Sequence, residues 1–273
     1  MPEGPEVRTV ADTLRPYLLN TTLTTFHHDN KAKGSGFNTL TLPCVVTNVY
    51  AYGKKVVMAL ANGDHIITSL GMTGRLQFIA GKHSHISMTF VSGHQTFALY
   101  FDDSRPFGAI DVILASQVTN YFAKFGPDLL EHSLNENTWI SPSHWLSCWQ
   151  TKRPSTKAIC KMLEDQHHVA GMGWYIITEV LYYSGIHPRR ETRTITPEEW
   201  ERMRVNAHKI IYLSYYHGGF TIKDYISPDG KRGCYPAAIY GKTHDPLGNV
   251  VIHQPFKEGS KDRTIHYVPS VQY

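Results

Sequence analysis

The chain opens with a short block whose residue types could carry out covalent chemistry. Its first seven residues are Met1-Pro2-Glu3-Gly4-Pro5-Glu6-Val7. Methionine is normally trimmed ahead of a residue as small as proline, which would leave Pro2 as a free secondary amine near the carboxylates of Glu3 and Glu6. An α-amino group has an ordinary pKa of about 7.7–8.0, so a useful fraction is neutral in the cell. Such an amine can attack an aldehyde-level carbon and form an iminium. The alternative is that the prolines only shape a loose chain end.

Distinct kinds of secondary structure must position this block. Apolar residues recur at helical spacing from Val7 to Leu18, which predicts an amphipathic helix. Between about residues 21 and 115, short apolar runs alternate with Gly, Asn and Asp turns, a pattern typical of an antiparallel β-sandwich or barrel. The second half is helical: Thr196-Pro197-Glu198-Glu199 is a capping-box helix start, and Gly185 is a helix C-cap. Two apolar stretches near residues 250–252 and 264–268 predict a terminal β-hairpin.

Composition limits the classes of protein that remain. The chain has 273 residues, enough for two domains with their own cores. Lys and Arg number 27 against 23 Asp and Glu, and a net charge of +4 permits a polyanionic partner without demanding one. The four cysteines form no Cys-x-x-Cys pair, which argues against a zinc site and a disulfide framework. Apolar runs stay shorter than the ~18 residues of a membrane span, and no signal peptide precedes Pro2. We therefore expect a soluble, intracellular protein with no membrane partner, in the nucleus, the nucleoid or a viral compartment.

Two glycine-flanked motifs and one lysine pair are candidate binding elements. Met72 lies in Ser69-Leu70-Gly71-Met72-Thr73-Gly74, and Arg105 and Phe107 lie in Asp103-Ser104-Arg105-Pro106-Phe107-Gly108. Taken alone, such residues are more often core side chains and a surface charge. The glycines instead favour protruding loops, which would present a thioether, a guanidinium and an aromatic ring at the surface. Tyr52-Gly53-Lys54-Lys55 precedes a predicted strand, where a lysine could bind a phosphate or be a solvated edge charge.

These motifs together resemble the formamidopyrimidine-DNA glycosylase/endonuclease VIII family of helix–two-turn–helix DNA repair glycosylases. The resemblance continues through the stretch from Glu164 to Pro188, which looks like the helix–two-turn–helix signature. It implies an α+β fold with an N-terminal antiparallel β-sandwich domain over residues 1–120 and a helical, helix–two-turn–helix domain over 121–225. A finger-like β-hairpin over residues 226–273 completes the expected organisation.

The resemblance also implies an activity, that of a bifunctional DNA glycosylase/AP lyase acting on damaged DNA. Pro2 would be the nucleophile, Glu3 a general acid and base, and Glu6 would orient the N-terminal segment. Lys54, with Lys55 as the second choice, and Arg263 would hold phosphates. The DNA-binding positions that the resemblance implies are Met72, Arg105 and Phe107, which would fill the gap that an extruded nucleotide leaves in the duplex, together with Gly171, Gly173, Trp174 and Lys242.

Two departures from the family pattern carry further expectations. Trp174 stands where the family usually has an asparagine that contacts the DNA backbone, so we expect altered phosphate binding, with stacking in place of hydrogen bonding. At the last cysteine pair of the family's zinc finger, the chain reads Val268-Pro269-Ser270-Val271. Valine cannot ligate zinc. This segment therefore resembles the zincless finger of one branch of the endonuclease VIII side of the family. We therefore expect apolar packing to hold the hairpin, with no metal and no cofactor.

Two features of the sequence predict different substrates. A zincless finger favours oxidised pyrimidines and hydantoins. The segment from Gly218 to Tyr225 instead resembles the lesion-capping region of the formamidopyrimidine branch, which keeps 8-oxoguanine and formamidopyrimidines open as an alternative. A further alternative is a damaged-DNA-binding protein with little turnover. We expect a monomer in each case.

Overall fold

The computed structural model describes residues 1–149, 155–221, 225–258 and 261–273. The chain forms two compact units, residues 1–124 with 215–234, and residues 125–214 with 235–273. These two units are defined by contacts alone, and the division into the three domains 1–120, 121–225 and 226–273 stays a prediction. None of the helices in the described ranges combines the length and apolar character that crossing a membrane requires.

The first unit is a large β-sheet with a helix packed on it. The strands are β1 (Thr22–His28), β2 (Gly34–Ser35), β3 (Cys44–Tyr52), β4 (Lys55–Leu60), β5 (His65–Ser69), β6 (Arg75–Gln77), β7 (Ser84–Ser92), β8 (Gln95–Asp102) and β9 (Ala109–Ile113). The sheet order is β2-β9-β5-β4-β3-β1-β7-β8-β6. All neighbouring strands pair antiparallel except β2 and β9, which are parallel. The two halves of the sheet are joined where β1 pairs with β3, at Thr22–Val45 and Leu23–Cys44.

Helix α1 (Gly4–Leu18) begins directly after Pro2 and Glu3 and so determines where these residues lie. Its apolar face from Val7 to Leu18 is buried against β3 and β4, as its helical spacing predicts. Both halves of the sheet contribute to the same core, for example Val49 from β3 and Met88 from β7. Each fully buried aliphatic side chain stabilises the fold by about 1.5–3 kcal/mol. The start of α1, with Pro2 and Glu3 before it, is thus fixed to a rigid scaffold. Helix α2 (Ala115–Phe122) follows β9.

The second unit is helical and ends in a β-hairpin. The elements are α3 (Pro142–Trp149), α4 (Ile159–Glu164), α5 (Trp174–Ser184), α6 (Pro197–Tyr216, of which residues 197–214 belong to this unit), β10 (Ile252–Glu258) and β11 (Lys261–Tyr267). Thr196 and Glu199 exchange hydrogen bonds at the start of α6, and Gly185 adopts φ 69° after α5. Both predicted helix boundaries are therefore confirmed.

Apolar packing holds the base of the hairpin. Strands β10 and β11 pair antiparallel, with Ile252 opposite Tyr267. Val268, which is fully buried, packs with Val251 and Tyr182, and Val271 packs against the same cluster. The expected terminal hairpin and its apolar base are both confirmed, and the fold is α+β as predicted.

Candidate active site and nucleic-acid interface

A fully buried carboxylate organises the N-terminal block. The Glu6 side chain is 0% exposed and Glu3 is 3% exposed, while Pro2 is also buried. One Glu6 oxygen accepts a hydrogen bond from the Glu3 N–H at 2.7 Å, and the other accepts one from the Phe220 N–H at 2.7 Å. Because a buried carboxylate must be satisfied by donors, these two bonds specify one conformation. Glu6 therefore fixes the first residues of the chain against the segment at 219–220.

The segment that meets Glu6 needs a glycine. Gly219 has φ +99°, and a Cβ there would lie 2.5 Å from a carboxylate oxygen of Glu6. The Tyr225 hydroxyl donates to the backbone oxygen of Glu6 at 3.1 Å. Burial raises the pKa of Tyr225, and the charge of Glu6 raises it further, so the hydroxyl remains a donor. Within the predicted lesion-capping stretch, residues 222–224 lie outside the described residues.

Asp103 ties together the two loops predicted to fill a gap in DNA. Its carboxylate, in a side chain only 5% exposed, accepts hydrogen bonds from the Thr73 hydroxyl and from the Gly108 N–H. Gly71 has φ +62°, and a Cβ there would lie 2.5 Å from the nitrogen of Gly108. The sequence contains Asp103 within a motif but gives it no role. Glycines at both loops were the available signal for their close approach.

The side chains that these loops carry reach the surface. Phe107 is 65% exposed and Met72 is 39% exposed. Arg105 is exposed as well, and its backbone N–H donates to the Thr73 hydroxyl at 3.1 Å. Exposed large apolar groups on a rigid double loop are typical of a contact surface. The structure thus brings the three predicted void-filling residues onto adjoining loops.

The two candidate lysines differ in their surroundings. Gly53 and Lys54 form the turn between β3 and β4, and Tyr52 pairs with Lys55 at its base. The Lys55 amine donates to the Ser69 hydroxyl. Burial lowers the pKa of Lys55, against an opposing effect of Asp111. Lys55 is thus engaged within the sheet, while Lys54 lies half-buried at the turn.

The predicted helix–two-turn–helix motif spans α4, two turns and α5. Gly171 has φ +105° and donates its N–H to the side chain of Gln166 at 2.9 Å. Gly173 is the N-cap of α5. Both glycines are buried, and their predicted contact with a DNA phosphate stays a prediction.

Trp174 lies against the hairpin. Its side chain is 9% exposed, and the indole N–H donates to the Thr264 carbonyl at 2.7 Å. The guanidinium of Arg263 lies 5.6 Å from the centre of the indole ring. Arg263 also donates to the Glu164 carboxylate at 2.8 Å. Although burial raises the pKa of Glu164, hydrogen bonds from Lys161 and Arg263 lower it overall. The predicted contact of Trp174 with DNA stays a prediction, and its observed stacking partner is Arg263.

Glu179 is a buried residue that sequence reasoning missed. Its carboxylate, 0% exposed, accepts the backbone N–H groups of Ala238, Ile239 and Tyr240 at 2.7, 3.0 and 2.9 Å. Burial raises its pKa, and these bonds partly offset that effect. Lys242, predicted to bind DNA, follows this segment and is exposed. A single acidic residue inside the apolar helix α5 was the signal that could have identified a buried carboxylate.

Metal ligands do not cluster in the described ranges. Among those residues, His, Cys, Asp and Glu form no group of three or more that could hold an ion. The absence of a metal and of a cofactor stays a prediction.

Comparison with known proteins identifies the family. Residues 1–110 match the formamidopyrimidine-DNA glycosylase N-terminal domain, and residues 121–225 match the formamidopyrimidine-DNA glycosylase H2TH domain. The chain is 30% identical over 253 residues to the formamidopyrimidine-DNA glycosylase of Shewanella halifaxensis, covering 89% of each chain, and 29% identical to that of Solibacter usitatus, covering 91% of each. The chain belongs to the formamidopyrimidine-DNA glycosylase family of DNA-repair enzymes.

Solved structures agree with the sequence relatives. The MutM (Fpg) protein of Thermus thermophilus superposes with a TM-score of 0.83 at 26% identity, over 99% of this chain and 98% of that one. Lactococcus lactis Fpg, in a complex with DNA containing an oxidised pyrimidine, gives a TM-score of 0.80 at 25% identity over 99% of each chain. The likeness therefore extends over both units.

Proposed function

We propose that this protein is a bifunctional DNA glycosylase/AP lyase that uses Pro2 as its nucleophile. The observation that carries the proposal is the fully buried Glu6, which binds the backbone of Glu3 and of Phe220. A chain end held this firmly fits a positioned nucleophile, because correct orientation of a reacting group greatly lowers its barrier. Family membership and the DNA complex of the Lactococcus relative support damaged DNA as the partner.

The reaction begins with extrusion of the damaged nucleotide from the duplex. Extrusion leaves a gap beside the unpaired base. Met72, Arg105 and Phe107 fill that gap, the arginine by stacking and the other two by apolar contact. Their place on two loops joined through Asp103 supports a concerted insertion.

Covalent chemistry follows at C1′ of the extruded nucleotide. Once Met1 is removed, the neutral Pro2 nitrogen attacks C1′ as the bond from C1′ to the damaged base breaks, and the proton that the amine loses passes to the leaving base. Glu3 gives a proton during opening of the deoxyribose ring, which produces an iminium between Pro2 and C1′. A positioned general acid or base contributes about 10²–10⁴-fold in rate.

Strand cleavage uses the charge of that iminium. The positive nitrogen acidifies the 2′ proton, whose removal expels the 3′ phosphate in a β-elimination. Loss of a further sugar proton expels the 5′ phosphate in a δ-elimination, and water then releases the sugar fragment and regenerates Pro2. Lys54 and Arg263 hold the flanking phosphates in this scheme, since cations are well suited to bind phosphate oxygens.

We assign oxidised pyrimidines and hydantoins as the preferred lesions. The valine-based hairpin supports this choice because it matches the zincless pattern. The Lactococcus complex shows that a relative accommodates an oxidised pyrimidine in DNA. The names of the sequence relatives support formamidopyrimidines as the alternative substrate.

Borohydride trapping on duplexes with thymine glycol or 8-oxoguanine tests both parts of the proposal. We expect an adduct that weakens in Pro2→Gly, which puts a primary amine in place of the proline nitrogen, and that disappears in protein that retains Met1, with stronger trapping on thymine glycol. Stronger trapping on 8-oxoguanine would reverse the assigned lesion class. DNA binding without an adduct on either lesion or on an abasic site would overturn the enzyme proposal and favour a binding protein.

A further inference from the structure

The hairpin arginine rests on an aromatic surface that the family pattern does not supply. The Arg263 guanidinium lies over the indole of Trp174 at 5.6 Å, and the ring of Phe256 lies 6.3 Å from that indole. Phe256 is also the cross-strand partner of Arg263. A guanidinium over a tryptophan face is attracted by the ring quadrupole and loses freedom to rotate. The stack therefore fixes where the Arg263 head group lies.

The indole has no remaining hydrogen-bond donor for a DNA phosphate. Its one donor is already bonded to the Thr264 carbonyl at 2.7 Å, and the side chain is 9% exposed. Tryptophan has no second donor. An asparagine here could present its amide to a phosphate, whereas Trp174 is committed to the hairpin strand that carries Arg263.

We propose that Trp174 is a positioning residue, which acts on DNA phosphates through Arg263 and not by touching them. The inference rests on the proposed phosphate role of Arg263. In this chain the direct contact of the usual asparagine is replaced by an indirect one, in which the indole stacks under the guanidinium and anchors the next residue, Thr264.

Arg263 keeps donor capacity for a phosphate in this arrangement. The Glu164 carboxylate takes one of its terminal N–H groups, at 2.8 Å. Its Nε is buried and has no hydrogen-bond partner within the part of the chain that the structure describes, so the terminal N–H groups of this 26% exposed side chain are the donors for a phosphate. A guanidinium carries five N–H donors in one plane. Glu164 therefore steadies one edge of the guanidinium while Trp174 supports its face.

A double-mutant cycle tests the inference, with binding of a duplex that contains a tetrahydrofuran abasic analogue as the readout. Arg263→Gln should weaken binding about 10–100-fold, the range for a charged hydrogen bond. Trp174→Leu should weaken it about 3–30-fold, the range for a cation–π contact that is partly desolvated. If Trp174 acts through Arg263, the double variant binds no more weakly than Arg263→Gln alone.

The salt dependence adds an independent readout. Arg263→Gln should reduce the slope of log K against log salt by about 0.9, the value for one phosphate contact. Trp174→Leu should reduce that slope too, although it removes no charge. Trp174→Phe keeps an aromatic face but loses the second ring and the N–H that bonds to Thr264, so its affinity should lie between that of Trp174→Leu and that of the unaltered protein.

A second arginine–tryptophan stack provides the matched control. Arg204 lies 5.8 Å from the centre of the Trp139 ring and bonds to Glu201 and to the Ile140 carbonyl. Trp139→Leu should leave DNA affinity and its salt slope unchanged. Multiplying losses in the double variant would overturn the inference, because Trp174 would then act independently of Arg263. An unchanged affinity in Arg263→Gln would instead overturn the phosphate role in the proposed function.

Discussion

Each unit contains a fully buried glutamate whose carboxylate is satisfied by backbone N–H groups, but the two glutamates hold different parts of the molecule. Glu6 and Glu179 are both 0% exposed, and both accept backbone N–H groups from segments far along the chain. Glu6 divides its oxygens between its own helix start and Phe220, 214 residues away. Glu179 gives both oxygens to three successive N–H groups at 238–240.

The difference lies in what each carboxylate holds. Glu6 holds the residues proposed to carry the chemistry, and a small displacement there would misplace the nucleophile. Glu179 holds the connection that leads to the hairpin, far along the chain from any proposed reacting atom. We therefore expect loss of Glu6 to lower the rate more than the stability, and loss of Glu179 to do the opposite.

The largest expected effect is that of Glu179→Ala on the free energy of unfolding. The change leaves three buried N–H groups without their acceptor, and each unsatisfied group costs about 1–3 kcal/mol with incomplete additivity, so we expect a loss of about 3–5 kcal/mol. Urea unfolding measures it. Glu191→Ala, at an exposed ion pair with Arg193, is the control and should change stability by less than about 1 kcal/mol. If Glu179→Ala lowered the free energy of unfolding by no more than Glu191→Ala does, the structural role of Glu179 would be contradicted.

Glu6→Gln should act mainly on the rate. The amide keeps one acceptor oxygen but turns an NH₂ group toward one of the two donors, which shifts the N-terminal segment. A misplacement of about 1 Å can cost about 100-fold in rate, so we expect a single-turnover rate lower by about 10–100-fold. Single-turnover strand cleavage and urea unfolding, measured together, check the prediction. If Glu6→Gln cleaved at the normal rate but lost as much stability as Glu179→Ala, the proposed difference between the two glutamates would be contradicted.

A pair of glycine variants sharpens the comparison further. Gly219→Ala places a methyl group 2.5 Å from the Glu6 carboxylate at φ +99°, whereas Gly248→Ala adds one at φ +85° with nothing within 4 Å. Both variants hold alanine in a left-handed backbone, which costs about 1–2 kcal/mol. Only Gly219→Ala should also slow cleavage, because it alone displaces Glu6. Equal rates in the two variants would show that the 219–220 segment does not control the N-terminal block.

The expected effect that is smallest at neutral pH is a pH dependence at the hairpin. Burial lowers the pKa of His266 to about 4, and the neighbouring His253 contributes to that shift. In the unfolded chain a histidine has a pKa of about 6.5. The unfolded state therefore binds more protons between these values, and the stability present above pH 6.5 is lost as the pH falls toward 4. Thermal melts of His266→Phe should vary less over this window than those of the unaltered protein. If the melting temperatures of His266→Phe and of the unaltered protein changed with pH in the same way, the lowered pKa of His266 would be contradicted.

Local features could be predicted from the sequence, and long-range ones could not. The apolar spacing of α1 and the Thr196 cap depend on residues within one or two turns, so their patterns are visible in the chain. Glu179 and Asp103 bind backbone groups whose positions depend on the whole fold. Their residue types alone do not tell which N–H groups they meet. The short parallel pairing of β2 with β9 was missed for the same reason, since a two-residue strand carries no periodic signal.

The candidate site shows the same division. The glycines beside Met72, Arg105 and Phe107 predicted protruding loops, and all three side chains are exposed. The grouping of the three residues rested on the family resemblance and not on a local pattern. Trp174 could be recognised as unusual, but its contacts could not be predicted. Its burial against the hairpin depends on how β11 approaches α5, which no local pattern encodes.

The most direct test of the central claim is to locate the trapped adduct. Borohydride-reduced protein on an abasic duplex would be digested, and the sugar-bearing peptide would be identified by mass spectrometry. We expect a single modified site, the nitrogen of Pro2, on a peptide that lacks Met1. Lys55 is the rival amine, because burial lowers its pKa and increases its neutral fraction. An adduct on Lys54 or Lys55, with Pro2 unmodified, would contradict the proposed nucleophile.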